Sequence, residues 1–225
     1  MPNVMPTPSN FPRRINAYVP AMAYSADVNF NGETRVPFGA PLASSATLVG
    51  NAININAAGT TDLSNVVQFP ETYGRNLTLV ASGASTSTVT VNGYDYLGQP
   101  LQESFTLNGT TPVVGNKAFK SFNNVVYTAT AGTTMNIGNG VKLGLPYKAI
   151  RCSYEVANGV VAAAGTLQAP SLVDPQTAVT LDPRGTYTTT TTMNGTNVIS
   201  GVFNMVNDVN TSNRGGLHGL AQFGG

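Results

Sequence analysis

The segment Val89-Thr90-Val91-Asn92-Gly93-Tyr94-Asp95-Tyr96 alternates apolar and polar side chains, and Leu101-Gln102-Glu103-Ser104-Phe105-Thr106-Leu107 repeats the alternation. A period of two residues is typical of a half-buried β-strand. Between the two runs, Leu97-Gly98-Gln99-Pro100 contains a glycine that permits a positive φ and a proline that has no N–H for a ladder. The stretch therefore predicts a β-hairpin. Glu103 is the exception on its apolar face.

Strand-like runs continue along most of the chain and predict an all-β sandwich, of jelly-roll or immunoglobulin-like type, over residues 43–225. Asn158-Gly159 lies between two such runs and is a strong hairpin signal. The β-branched run from Thr186 to Thr192 has little core-forming content beyond Tyr187, which favours an exposed strand or loop. Helical periodicity is not evident, so we expect little helix.

Residues 1–42 are predicted to form an extended, irregular N-terminal arm, because they contain seven of the 14 prolines. Proline fixes φ and cannot complete a helix or a central strand. Apolar side chains are spaced along the arm, and they need a surface on which to lie. That surface is either the chain's own domain or a neighbouring subunit.

The composition is unusually poor in charge. Charged residues make up 9% of the chain, the net charge is +1 and 41% of residues are hydrophobic, whereas about a quarter of residues are charged in an average domain. This balance favours a protein packed against other protein, with an ordinary Thr- and Asn-rich sandwich as the alternative. Near-neutral charge argues against a nucleic-acid partner, because phosphate binding needs clustered Lys and Arg.

Targeting and disulfide signals are sparse. Cys152 is the only cysteine, so no intrachain disulfide can form, and a packed small residue is expected there. No run reaches the roughly 20 apolar residues that cross a bilayer. The first eight residues lack the basic and apolar regions of a signal peptide. We therefore expect a protein that is made and kept in the cytosol, or that leaves when the cell breaks.

Catalytic signals are also weak. His218 is the only histidine, no Gly-x-Ser-x-Gly elbow accompanies it, the carboxylates are scattered, and there is no Trp for a carbohydrate platform. Gly138-Asn139-Gly140 has Leu143 where a third glycine of a dinucleotide loop belongs, and it is interpreted as a β-turn. Asp182-Pro183-Arg184-Gly185 predicts a turn in which Asp182 caps backbone N–H groups. The sequence predicts no enzyme, no metal site and no cofactor.

Several short segments between Asn76 and Phe223 resemble a β-rich module of virion structural proteins from tailed bacteriophages. In chain order they are Val91-Asn92-Gly93-Tyr94-Asp95, Leu97-Gly98-Gln99-Pro100-Leu101-Gln102-Glu103, Asn108-Gly109-Thr110, Lys117-Ala118-Phe119-Lys120, Ile137-Gly138-Asn139-Gly140-Val141-Lys142-Leu143-Gly144-Leu145-Pro146, Asp182-Pro183-Arg184-Gly185-Thr186-Tyr187 and Gly216-Leu217-His218-Gly219-Leu220-Ala221-Gln222-Phe223. The resemblance covers roughly two thirds of the chain but does not extend to the arm.

The resemblance implies a non-enzymatic head decoration or cement protein that clamps neighbouring major capsid subunits. It implies a homo-oligomer on the surface of a capsid assembled in the host cytoplasm, with no nucleic-acid, membrane or cofactor partner. The capsid contacts are predicted in the arm, at Phe11, Arg13, Arg14, Ile15, Tyr18, Val19, Met22, Tyr24 and Phe30. A second contact is predicted at a C-terminal edge strand, through Leu217, Leu220 and Phe223, because an edge offers unpaired N–H and C=O groups.

Three alternatives stay open at this point. The first is another virion part, such as a tail, adaptor or fibre-base protein. The second is a carbohydrate- or host-surface-binding module, which predicts an exposed aromatic patch. The third is a hydrolase, which requires at least two polar side chains that converge with His218.

Overall fold

The computed structural model describes residues 33–170 and 181–205, and every regular element in these residues is a β-strand. The strands are β1 (Glu33–Gly39), β2 (Ser45–Asn54), β3 (Gly59–Asp62), β4 (Arg75–Ala81), β5 (Thr88–Tyr94), β6 (Pro100–Thr106), β7 (Val113–Val114), β8 (Ser121–Tyr127), β9 (Thr134–Gly144), β10 (Ala149–Ala157), β11 (Val160–Ala162), β12 (Thr166–Gln168), β13 (Thr186–Thr188) and β14 (Ile199–Met205). The predicted fold class, an all-β sandwich, is confirmed.

The strands form three antiparallel sheets. Sheet A has the order β1-β14-β10-β11, sheet C has the order β3-β8-β5-β6, and sheet B has the order β12-β13-β9-β4-β7 with β2 also paired to β9. The long strand β9 pairs with β4 along most of its length, with β2 over its first part and with β13 over its last. Sheet B therefore lies at the centre of the molecule.

Two hydrophobic cores follow from this arrangement. Sheets B and C enclose the larger core, to which β4, β5, β6, β8 and β9 contribute alternate residues. Sheet A closes the smaller core against the far end of β9, where Phe38 stacks on Tyr187 and Phe203 packs edge-on against both rings. Met135 and Ile137 of β9 lie in the first core and Leu143 lies in the second, so one strand serves both.

The predicted central hairpin is present as β5 and β6. Val89 pairs with Phe105 and Gly93 pairs with Leu101, and the inward residues Val89, Val91, Leu101 and Phe105 are buried. The turn contains Gly98 at a φ of 77°. The Asn158-Gly159 hairpin is also present, joining β10 to β11 with both residues at positive φ, as a type I′ turn requires.

Two predictions from local pattern were wrong. Gly138-Asn139-Gly140 is not a β-turn but part of β9, where the absence of a side chain lets neighbouring groups come close: a Cβ at Gly138 would overlap the carbonyl oxygen of Ser45, and one at Gly140 would overlap the Asn76 carboxamide. The run from Thr186 begins as a buried strand, because β13 completes sheet B beside β9 and places Tyr187 in the second core.

Only residues 33–42 of the predicted arm fall within the described part of the chain. Residues 33–39 of that stretch form β1, which pairs with β14 at the edge of sheet A. Pro37 is tolerated there because it lies on an edge strand, beside a register shift between Pro37 and Gly39.

Replacing Gly138 with alanine should destabilise the fold by roughly 2–3 kcal/mol, since the new methyl group has no room beside Ser45 and β2 must shift. Gly83→Ala is the matched control, because its Cβ would meet only the Thr133 hydroxyl at 3.8 Å. Urea denaturation measures both. Equal stability of the two variants would contradict the close approach of β2 to β9.

Candidate functional site

The predicted contact residues lie outside the described residues. This applies to Phe11, Arg13, Arg14, Ile15, Tyr18, Val19, Met22, Tyr24 and Phe30 of the arm and to Leu217, Leu220 and Phe223 of the predicted edge strand. His218, which was considered as a catalytic residue, also lies outside the described residues. The described residues instead show an unexpected distribution of charge. The full chain has 11 basic and 10 acidic residues. Within residues 33–170 and 181–205, nine charged residues are buried: Glu71, Arg75, Asp95, Glu103, Lys117, Lys148, Glu155, Asp182 and Arg184.

The most connected of these groups is a cluster around Arg184. Its Nη2 lies 2.6 Å from Asp95 Oδ2, its Nε donates to the carbonyl of Leu145 at 3.1 Å, and its guanidinium lies 4.7 Å from the centre of the Tyr96 ring. Tyr96 donates in turn to the carbonyl of Pro146 at 2.9 Å. The cluster joins the β5–β6 turn to the end of β9.

Asp182 supports the same cluster, in the turn that the sequence predicted. Its Oδ1 accepts from the backbone N–H of Arg184 at 2.8 Å, which confirms the predicted cap, and its Oδ2 accepts from the N–H of Ala118 at 2.9 Å. Burial raises the pKa of Asp182, against the opposing effect of Arg184. Asp95 Oδ1 accepts from the N–H groups of Leu97 and Gln99, both at 2.8 Å, and so fixes the hairpin turn.

A second buried pair joins Glu71 and Arg75. Arg75 Nη1 lies 2.9 Å from Glu71 Oε1 and 2.6 Å from the carbonyl of Leu42, and its Nε donates to the carbonyl of Gly140 at 2.6 Å. Desolvation lowers the pKa of Arg75, partly offset by Glu71. The pair anchors the chain that precedes β2 to β4 and β9.

Glu155 forms a third closed network in the second core. Its carboxylate accepts from the Tyr187 hydroxyl at 2.9 Å and from the N–H groups of Thr190 and Thr191 at 3.0 Å each, while Tyr187 accepts from the N–H of Gly165 at 2.6 Å. Cys152 packs against this core, as expected of a small residue, and burial raises the pKa of its thiol. A raised thiol pKa lowers the reactivity of cysteine.

Glu103, the exception in the hairpin pattern, is buried with 5% of its surface exposed. Its carboxylate accepts from the backbone N–H of Asn116 at 2.6 Å and from that of Lys117 at 3.3 Å. Burial raises its pKa to about 7, although those hydrogen bonds and Lys117 act in the opposite direction. An acid in this environment carries a proton for part of the time near neutral pH.

Surface features are shallow. A depression of about 300 Å³ lies on sheet C between β5 and β6 and is lined mainly by main chain, amide side chains and Tyr94. Another, of about 230 Å³, lies near Asn139 and Thr78. In residues 33–170 and 181–205, no group of three or more His, Cys, Asp or Glu side chains is arranged to hold a metal ion.

The two edges of sheet A differ in character. β1 carries Glu33, Arg35 and Pro37, all features that protect an edge from pairing. β11 at the opposite edge carries none of them: Val160 is 68% exposed and Val161 is 66% exposed. Val198, whose backbone bonds to Asn158 at the β10–β11 turn, is exposed as well. The apolar edge, meaning β11 with Val198, is a candidate contact surface in the described residues.

Comparison with known proteins gives no relatives: no family model, curated protein or solved structure matches the chain. The part of the chain that the structure describes also contains no helix long and apolar enough to span a membrane.

Replacing Arg184 with methionine should cost about 3 kcal/mol of stability, because it leaves Asp95 buried without its ion-pair partner. Arg151→Met is the control, since exposed Arg151 makes one hydrogen bond to Asn204 and its loss should cost less than about 1 kcal/mol. Chemical denaturation checks both. Similar losses in the two variants would contradict the importance of the buried pair.

Glu103 should make the folded state less stable as the pH rises. The folded protein holds this proton more tightly than the unfolded chain, in which a glutamate has a pKa of 4.5. Stability from this group is therefore fully present below that value and is lost as the pH rises to about 7. The difference between the two pKa values corresponds to roughly 3 kcal/mol.

Unfolding free energies of the wild type and Glu103→Gln, measured between about pH 5 and about pH 8, test this expectation. The wild type should lose stability relative to the variant over that range, because glutamine does not titrate. Parallel profiles would show that Glu103 has an ordinary pKa.

Proposed function

We propose that this chain is a non-enzymatic structural protein of a tailed-bacteriophage virion, and specifically a head decoration protein that clamps neighbouring major capsid subunits. One observation supports the proposal: the segments that resemble the virion module meet at a single place in the structure. Asp95, Ala118, Leu145, Pro146, Asp182 and Arg184 come from four of those segments, and they converge on the Arg184 cluster.

This convergence supports the resemblance because the segments are far apart in the sequence. Short strand and turn patterns are common, and each segment alone carries little information. Segments that supply both partners of one buried ion pair cannot change independently, since a change in one partner leaves a buried charge without its counterpart. Such joint constraint is expected of a shared module and not of unrelated turns.

The distribution of charge supports an action through packing. With nine charged side chains buried, the surface of the described residues is formed largely by hydroxyl, amide and apolar groups. Such a surface loses less solvation free energy than a charged one when another protein covers it and supplies hydrogen bonds to its hydroxyl and amide groups. The apolar edge offers exposed valines and a strand whose outer side pairs with no other strand in the described residues, which suits a neighbouring capsid subunit that adds a strand or an apolar surface.

A contact that is repeated at every position of the capsid lattice would need only modest affinity to hold the protein there. A decoration protein occupies equivalent positions over a whole lattice, and an oligomer that engages several subunits at once gains affinity by multivalency. Neither the edge nor the arm then needs a large interface of its own.

Sedimentation of purified protein with mature capsids that lack it tests the proposal. The full-length chain should saturate the capsids at many copies, and the Val160→Lys/Val161→Lys double variant should bind at least about tenfold more weakly, because lysines on an edge oppose strand pairing. Val67→Lys is the control, since Val67 is exposed in a loop away from this edge. If neither the full-length chain nor either variant binds to capsids, the decoration function is refuted.

A chain that starts at residue 33 tests the arm separately, because it keeps β1 and its pairing with β14. Loss of binding by this chain would assign the contact to residues 1–32. A protein count on intact particles distinguishes the alternatives: decoration requires copies at every lattice position, whereas a tail or adaptor part is present in a few copies at one site.

A further inference from the structure

Three polar side chains from separate segments meet at the loop formed by residues 115–117. Lys142 of β9 places its Nζ 2.7 Å from Oδ1 of Asn116 and 3.1 Å from Oε1 of Gln168. No carboxylate lies within ion-pair distance of Lys142 among the described residues. Its half-buried amine therefore contacts carboxamides, where a lysine of this kind usually finds a carboxylate.

The main chains on both sides of this contact are held by Asn76. This fully buried residue donates from Nδ2 to the carbonyl of Gly115 at 2.9 Å and accepts at Oδ1 from the N–H of Lys142 at 2.8 Å. One rigid carboxamide thus fixes the segment that carries Asn116 against the strand that carries Lys142. The approach of the amine to the Asn116 carboxamide is built into the fold.

Glu103 provides an acid at the same place. Its carboxyl group accepts the backbone N–H of Asn116 at 2.6 Å, and Lys117 and Asp182 are the other charged groups that act on it beside Lys142. Burial raises the pKa of Glu103 to about 7 and lowers the pKa of Lys142. An uncharged amine is the nucleophilic form of lysine, and an acid with a pKa of about 7 can both accept and return a proton near neutral pH.

We propose that Lys142 and Asn116 react to form an intramolecular isopeptide bond, with Glu103 as the general acid and base. Nζ lies 2.7 Å from Oδ1 of Asn116. The Asn116 carboxamide first rotates so that its face meets Nζ and Cγ comes to about 3–3.5 Å from Nζ, the separation that reacting atoms need. Nζ attacks Cγ of Asn116 and its proton passes to the Glu103 carboxylate. Glu103 then protonates Nδ2, the Cγ–Nδ2 bond breaks, and ammonia leaves.

The step is balanced without any co-reactant. One amine and one carboxamide give a secondary amide and ammonia, and Glu103 returns to its starting state. The new bond would tie β9 to the loop after β7 and enclose residues 116–142 in a covalent ring. A covalent tie of this kind restricts the unfolded chain as a disulfide does, in a protein whose single cysteine cannot form one within the chain. The bond does not depend on the virion assignment.

Mass spectrometry of the purified full-length chain tests the bond. The intact protein should be lighter than its sequence by one ammonia. After trypsin digestion, residues 76–117 should be joined to residues 121–148, with cleavage after Lys142 blocked, and fragmentation should place the link between Asn116 and Lys142. A chain of full mass, or a link to Gln168, would overturn the proposal.

Variants distinguish the isopeptide bond from other reactions that release ammonia, because an Asn-Gly sequence can cyclise with the same change in mass. Lys142→Arg and Asn116→Ala should keep the full mass. The control Lys120→Arg should lose ammonia as the wild type does, since the Lys120 amine donates to the carbonyls of Phe69 and Glu71 and not to a carboxamide. Loss of ammonia from Lys142→Arg would trace it to another site and overturn the proposal.

Glu103→Gln tests the acid. This variant should fold, as judged by its circular dichroism, and keep the full mass, because glutamine cannot accept the proton from Nζ. If this variant forms the bond between Lys142 and Asn116 as completely as the wild type does, Glu103 takes no part in the reaction. Should this variant fail to fold, wild-type chain that was purified in denaturant and still has its full mass is refolded at several pH values. A rate of ammonia loss that does not change with pH would equally exclude an acid–base role.

Discussion

The buried ion pair between Asp95 and Arg184 is the interaction on which the arrangement of the described residues depends most. Asp95 fixes the turn of the β5–β6 hairpin through two backbone N–H groups, and Arg184 reaches the carbonyl at the end of β9. The pair thereby links sheet C to sheet B outside the ladders of either sheet. Desolvating two charges is costly, so the pair is stable only because neighbouring carbonyl and N–H groups and the Tyr96 ring complete its surroundings.

The same use of charge recurs across the fold. Glu71 with Arg75, Glu155 with Tyr187, and Glu103 with the 115–117 loop each connect segments that are separate in the fold. The consequence appears at the surface, which is left with few charges and an apolar edge at β11. The proposed decoration function would use this surface through its packed shape and not through charge. The proposed isopeptide bond would add covalent strength to the same central sheet.

Several features were predictable from short segments. The hairpin of β5 and β6, the Asn158-Gly159 turn and the cap by Asp182 all depend on side-chain alternation or on the backbone freedom of one or two residues, which a local pattern records. Glu103 was also recognisable in the sequence, because a carboxylate on the apolar face of a strand must be either exposed or embedded in a polar network. The other buried charges were harder to recognise in the sequence. Glu155 is also a carboxylate within a strand, β10, but its partners Thr190 and Thr191 lie 35 or more residues away in the chain.

The sequence by itself determined the fold class, since a period of two and frequent turn residues leave little alternative to antiparallel sheets. The tertiary structure decided which strands became central. Gly138 and Gly140 read as a turn in isolation, yet they lie within β9 because β2 and Asn76 press against that strand. Thr186 and Tyr187 read as exposed, yet they are buried because β13 completes the central sheet. In both cases the deciding contact comes from residues distant in the chain, and no local pattern contains it.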